Sequence, residues 1–109
     1  MKVSVIIPVY NEEAYIHACL ESVINQKEPA DEIIVVDNNS IDNTPTIAKA
    51  FPEVKIVKEA KQGMIPARNK GFNSAKYEII AKIDADTRVS PDWIQRIKKN
   101  FQDESIIGV

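Results

Sequence analysis

Apolar runs alternate with helical spacings along the whole chain. Val3-Ser4-Val5-Ile6-Ile7 predicts a first strand, ended by Pro8. Residues 12–25 follow, with Ile16, Cys19, Leu20, Val23 and Ile24 at the i, i+3, i+4 spacing of a helix's buried face. Ile33-Ile34-Val35-Val36 is a continuous β-branched run, as expected of a strand covered on both faces. Pro suits a first helical turn, so a second helix is expected from about Pro45 to Phe51, capped by Thr44 or Asp42. Val54-Lys55-Ile56-Val57 is a shorter, more polar strand near a sheet edge. A helix from about Ile65 to Ser74 leads to a fourth strand over Tyr77–Ile83. Pro91 then opens a helix through Phe101, and Ser105–Val109 begins another strand. Strand and helix alternating in this way predict an α/β fold with a doubly wound, mainly parallel sheet.

A length of 109 residues suits a single domain with one core. The chain stops inside what reads as a strand, so the expectation is the N-terminal part of a larger protein. Net charge is −2, which gives no global field toward nucleic acid or an anionic membrane. Charge is uneven, however. Lys55, Lys58, Lys61, Arg68, Lys70 and Lys76 face only Glu59 in their segment, as a solvated surface or as a phosphate-facing patch. Cys19 is the only cysteine, so an internal disulfide is excluded and its place in the apolar set marks core packing. His17, off that apolar face, is given no role. No stretch approaches the roughly 20 apolar residues of a membrane span. A cytoplasmic protein is expected, with a peripheral position at the inner membrane face open to a longer form.

In parallel α/β sheets, ligands bind beyond the carboxyl ends of the strands, at a switch point in strand order. Pro8-Val9-Tyr10-Asn11-Glu12, Asp37-Asn38-Asn39-Ser40 and Asp84-Ala85-Asp86 stand at those ends. Asp84 and Asp86 are the most informative pair. On a strand, positions i and i+2 point to one face, roughly 6–7 Å apart. Two carboxylates that close repel each other, so a cation between them is expected. The competing reading is structural, with Asp86 or Thr87 capping a turn before Pro91. Neither G-x-G-x-x-G nor G-x-x-x-x-G-K-[ST] is present. A phosphorylated ligand would therefore be held by a metal and basic side chains, not a glycine cradle. Two acids without His or Cys suit a hard cation, Mg²⁺ or Mn²⁺.

Four motifs occur in order: Pro8-Val9-Tyr10-Asn11-Glu12, Asp37-x-x-Ser40-x-Asp42-x-Thr44, Gly63-x-x-x-Ala67-Arg68-Asn69-x-Gly71 and Asp84-x-Asp86-Thr87. Together they resemble the nucleotide-binding half of family 2 glycosyltransferases of the GT-A fold, over essentially the whole chain. The resemblance implies strand order 3-2-1-4 and a donor site for a nucleoside diphosphate sugar, most simply a UDP- or GDP-sugar. It implies that Pro8, Tyr10 and Glu12 line the nucleoside pocket and that Asp37 binds the base or ribose. Arg68 would lie near the donor with Asn69 beside it. Asp84 would face the ribose and the metal, and Asp86 would coordinate the metal on the diphosphate. Two positions depart from the pattern. Lys61 stands where relatives often carry Asn, and Lys82 interrupts the apolar run before Asp84, either pairing with Asp84 or reaching an open edge.

The implied reaction is inverting transfer of a hexose, with the general base and acceptor site beyond residue 109. By itself the chain is expected to be inactive in transfer. Residues 102–109 are expected to be mobile or re-paired, and the open edge of Tyr77–Ile83 to invite self-association. Other readings fit less well. A receiver module wants paired acids after its first strand and an Asp after its third, where this chain has Asn11-Glu12 and Glu59-Ala60-Lys61. A nucleotidyltransferase usually opens with a glycine-rich basic loop, absent after Ile7. A non-catalytic nucleotide-sugar-binding module remains the closest alternative.

Overall fold

The structure, a computed structural model, describes residues 1–102. Four strands, β1 (Val3–Val9), β2 (Glu32–Asp37), β3 (Val54–Lys58) and β4 (Ile79–Lys82), form one sheet in the order β3-β2-β1-β4. Every pairing is parallel. Helices α1 (Ile16–Ile24), α2 (Thr44–Lys49), α3 (Met64–Ser74) and α4 (Trp93–Gln102) separate and follow the strands. Among the described residues, β3 and β4 each have one neighbour and form the sheet's edges. The expected strand at Ser105–Val109 and the expectation of mobility or re-pairing for residues 103–109 lie outside the described residues, while Gln102 ends α4.

Side-chain alternation along the strands divides the core between the two faces. Val3, Val5, Ile7 and Val9 of β1 pack with Ile33 and Val35, Ile16, Leu20 and Val23 of α1, Ala48 of α2, and Ile94 and Ile97 of α4. Ile6, Ile34 and Val36 point the other way, against Ala67 of α3. Each fully buried Val or Ile contributes roughly 1.5–3 kcal/mol. Cys19 belongs to the first cluster, as its helical spacing predicts. No helix among the described residues is long and apolar enough to cross a membrane.

Two strand boundaries differ from expectation. β1 runs through Pro8 to Val9, and Pro8 sits opposite Val36. The Ile6 carbonyl accepts from Ile83 N–H and the Val9 carbonyl from Asn38 N–H, so even positions of β1 turn toward β4 and odd ones toward β2. Registered pairing with β4 ends at Ile6–Lys82. The missing N–H of Pro8 therefore faces a side with no ladder bond to lose. β4 is shorter than the expected Tyr77–Ile83. Its entry is captured by side chains instead: Tyr77 N–H donates to Ser4 Oγ at 3.2 Å, and Lys76 N–H to Glu32 Oε1 at 2.8 Å.

At the opposite end of the sheet from the strand-end motifs, Asp31 ties β1 to α4. Its Oδ2 accepts from Val3 N–H at 2.8 Å and lies 3.3 Å from Lys98 Nζ. Burial would push the Asp31 carboxyl up. The Val3 hydrogen bond, the hydrogen bond and charge of Lys98, and the charge of Lys2 outweigh it and hold the group below the usual carboxylate range. A depressed folded-state value means that the unfolded chain binds the proton more readily. The stabilisation is thus complete above the unfolded value of about 4 and is lost as pH falls through the folded one. Asp31→Asn is expected to cost about 1 kcal/mol at neutral pH. It should cost nothing at pH values where wild-type Asp31 is itself protonated; urea denaturation across the acid range measures both.

Candidate functional site

Strands β1, β2 and β3 step outward in one direction, and the chain then returns to place β4 on the other side of β1. The reversal puts a crevice beyond the carboxyl ends of β1 and β4, where parallel sheets bind ligands. A cavity of about 390 Å³ lies there, lined by Pro8, Tyr10, Glu12, Asp84 and Asp86 together with residues of the β3–α3 loop and the start of α3. Five of the seven expected site residues therefore meet in one place. Asp37 and Arg68 are not among the lining residues. Asp37 is buried, its Oδ1 accepting from Ser40 N–H at 3.1 Å. Arg68 is exposed on α3, next to Ala67, which does line the cavity. None of the basic residues in the 55–76 segment lines it.

Asp84 and Asp86 do not extend β4. The strand ends at Lys82, and Thr87 N–H donates to the Asp84 carbonyl at 2.9 Å, closing a tight turn. Ala85 is buried between two exposed acids. The alternation of buried and exposed positions nevertheless persists through the turn, and both carboxylates reach the cavity. The turn's closing bond runs from backbone to backbone and uses neither the Asp86 nor the Thr87 side chain. Lys82 Nζ pairs with Asp84 Oδ1 at 2.9 Å, and Lys82 is exposed on the edge strand β4, so both of its expected fates are met. The ion pairs among the described residues leave Asp86 out.

Glu12 makes a third acid at the cavity. Burial raises its carboxyl above the usual range, and the charges of Asp86, Asp84 and Asp42 raise it further. Beneath the turn, Cys19 Sγ–H donates to the Asp84 carbonyl at 3.8 Å. Burial first, then Asp86 and Glu12, push the thiol up to about 12, so it stays protonated and inert.

The loop that presents Tyr10 and Glu12 is held from β2's side. Asn11, at φ 52°, donates its N–H to Ser40 Oγ at 3.0 Å and accepts Ile41 N–H on Oδ1 at 2.9 Å. Glu12 N–H donates to Thr44 Oγ1 at 2.8 Å. Asp42 Oδ1 accepts Thr44 N–H at 2.9 Å and Oδ2 accepts Glu13 N–H at 3.3 Å. The Ser40, Asp42 and Thr44 positions of the second motif thus fasten the first motif's loop. Asn38 and Gly63 are legible in the sequence only as members of their motifs, and Gln62 and Met64 not at all, yet all four line the cavity. The signal for Asn38 is its motif's place directly after a strand.

Among the described residues, no group of three His, Cys, Asp or Glu could hold a metal by itself. Asp84 and Asp86 fit a different arrangement, in which a hard cation takes one or two carboxylates and completes its sphere with substrate oxygens and water.

A parallel α/β sheet with acids converging at its switch point defines a doubly wound, ligand-binding class of fold. Residues 4–109 match the model of glycosyl transferase family 2. The chain belongs to that family. It is 39% identical over 101 residues to the glycosyltransferase AglE of Haloferax volcanii, covering 86% of this chain and 33% of that protein. Among solved structures it resembles S. aureus TarS 1–349 in complex with UDP-GlcNAc, at TM-score 0.84 and 27% identity over 96% of this chain and 32% of that one. It also resembles the mannosyltransferase PcManGT of Pyrobaculum calidifontis in complex with GDP-Man and Mn²⁺, at TM-score 0.80 and 32% identity over 90% of this chain and 31% of that one. The fold is therefore GT-A, with the expected strand order. The chain spans about a third of the length of the curated relatives it matches first.

Proposed function

We propose that the cavity binds a nucleoside diphosphate sugar, a UDP- or GDP-sugar, through a divalent cation held by Asp84 and Asp86. The observation that carries this reading is the meeting of Pro8, Tyr10, Glu12, Asp84 and Asp86 around one cavity at the switch point. Half-exposed Tyr10 and buried Val9 give the cavity an apolar side for a nucleoside. The acids give it a side that favours a cation. A bound Mg²⁺ or Mn²⁺ would stabilise the negative charge of a diphosphate leaving group. Asp37 and Arg68 remain donor-site candidates as neighbours of the cavity: Asp37 precedes Asn38, Arg68 follows Ala67, and both of those residues line it. UDP-GlcNAc and GDP-Man in the similar TarS and PcManGT structures support the ligand class, and Mn²⁺ in the latter supports the cation.

Inverting transfer of a sugar is the reaction proposed for the whole protein, of which donor binding is the share these residues carry. Titration of the chain with UDP, GDP, CDP and their sugars, with and without Mn²⁺, tests the proposal. At least one is expected to bind, and more tightly with Mn²⁺. Binding by none of them, with the fold confirmed by circular dichroism, would refute it.

A further inference from the structure

Asn38 follows β2, is 3% exposed, and has no hydrogen-bonding capacity left to offer a ligand. Its Nδ2 donates to the Glu59 carbonyl at 2.9 Å and the Lys61 carbonyl at 2.8 Å. Its Oδ1 accepts from Gly63 N–H at 2.9 Å and from Gln62 Nε2 at 3.2 Å. A carboxamide has two donor hydrogens and one oxygen with two lone pairs, so all four positions are taken. The partners also fix its orientation, because carbonyls only accept and a backbone N–H only donates. Beside it, Asn39 donates from Nδ2 to the Ala60 carbonyl at 2.9 Å and to Gln62 Oε1 at 3.0 Å. Asn39 reaches that position in the left-handed region, at φ 67°. Each residue from Glu59 to Gly63 is thus bonded to one or both of two adjacent carboxamides.

This loop joins β3 to α3, and its end forms one wall of the cavity through Gln62, Gly63 and Met64. Gly63 stands at φ 134°, a conformation that a side chain would strain. We propose that Asn38, assisted by Asn39, is a positioning residue that sets this wall and, through it, affinity for the nucleoside part of the donor. The inference rests on the nucleotide-sugar reading of the cavity. An aspartate at position 38 would keep the shape and the acceptor for Gly63. It would also replace two donors with an oxygen facing two carbonyl oxygens, leaving both carbonyls without their partner. The opposite wall is held separately, by the Asp84–Thr87 turn, the Cys19 thiol and Lys82.

The test compares Asn38→Asp with wild type in Mn²⁺-dependent binding of two probes: the tighter of UDP and GDP, and inorganic pyrophosphate. The variant should bind the nucleotide at least fivefold more weakly and pyrophosphate within twofold of wild type. General loosening of the fold would weaken both probes alike. A nucleotide loss below fivefold in a folded variant, or an equal loss for pyrophosphate, overturns the proposal. Should Asn38→Asp not fold, exposed Asn39→Asp carries the test, with a threefold loss as its threshold. If wild type binds pyrophosphate but neither nucleotide, or binds nothing, the donor-site reading itself fails, and this inference with it.

Discussion

Asp86→Ala is expected to weaken Mn²⁺-dependent nucleotide binding on the order of a hundredfold, roughly 2.7 kcal/mol, while the protein stays folded. Position in the turn explains both halves of that expectation. Asp86 is exposed and contributes no ion pair among the described residues, so its loss removes nothing from the fold. The backbone bond from Thr87 N–H to the Asp84 carbonyl and the buried Ala85 hold the turn without it. Asp84 already shares Oδ1 with the Lys82 ammonium, so a cation would rely more on Asp86 than a symmetric pair would require. With one of two carboxylates gone, the remaining oxygen donors are Asp84, already engaged by Lys82, the ligand's phosphates and water. Isothermal titration with and without Mn²⁺ measures the effect. Metal-dependent binding that survives the substitution would remove Asp86 from the metal role.

Asp86 also illustrates what local pattern can and cannot reveal. The acids were visible as a pair because they follow an apolar run, and apolar runs are where the sheet must lie. Alternation does set both acids on one side, with Ile83 and Ala85 buried and Asp84 and Asp86 exposed, but the registered ladder ends at Lys82 and a turn carries the acids. A turn closed by one backbone bond leaves no hydrophobic signature to find. Strand order followed from the family resemblance, and α1 from the spacing of Ile16, Cys19, Leu20 and Val23, all of which are buried. Asn38 was hidden for the opposite reason. Its partners lie 21 to 25 residues away in a loop of no regular pattern, and three of its four bonds go to backbone atoms that carry no residue identity. Pro8 reads as the end of the first strand, and proline lacks a donor for a ladder bond. Only the register of β4 reveals that no donor is needed there.

Gly71→Val is expected to destabilise the fold by about 3 kcal/mol through overpacking. α3 meets the sheet through small residues one turn apart, Ala67 and Gly71, and both are buried. A Cβ at position 71 would stand 2.9 Å from Ile6 Cδ1, 3.2 Å from Ile6 Cβ and 3.3 Å from Val36 Cγ2. The Cδ1 methyl can swing aside. Ile6 Cβ is fixed to the central strand, so relief requires α3 itself to move. Alanine would recover about 1 kcal/mol of helix propensity against that crowding, and its net cost should be small. Valine adds two methyl groups to the same gap and brings a β-branched side chain into the helix, so little offsets its cost. Displacing α3 would also shift Met64 and Ala67, which line the cavity, and nucleotide affinity should fall along with stability. Urea denaturation of the alanine and valine variants measures the first effect, and titration of the folded fraction the second. A valine variant within about 1 kcal/mol of wild type would mean that α3 can lift from the sheet at little cost. In that case the cavity wall would depend on the Asn38 bonds alone, and Asn38→Asp would be the more damaging change to binding.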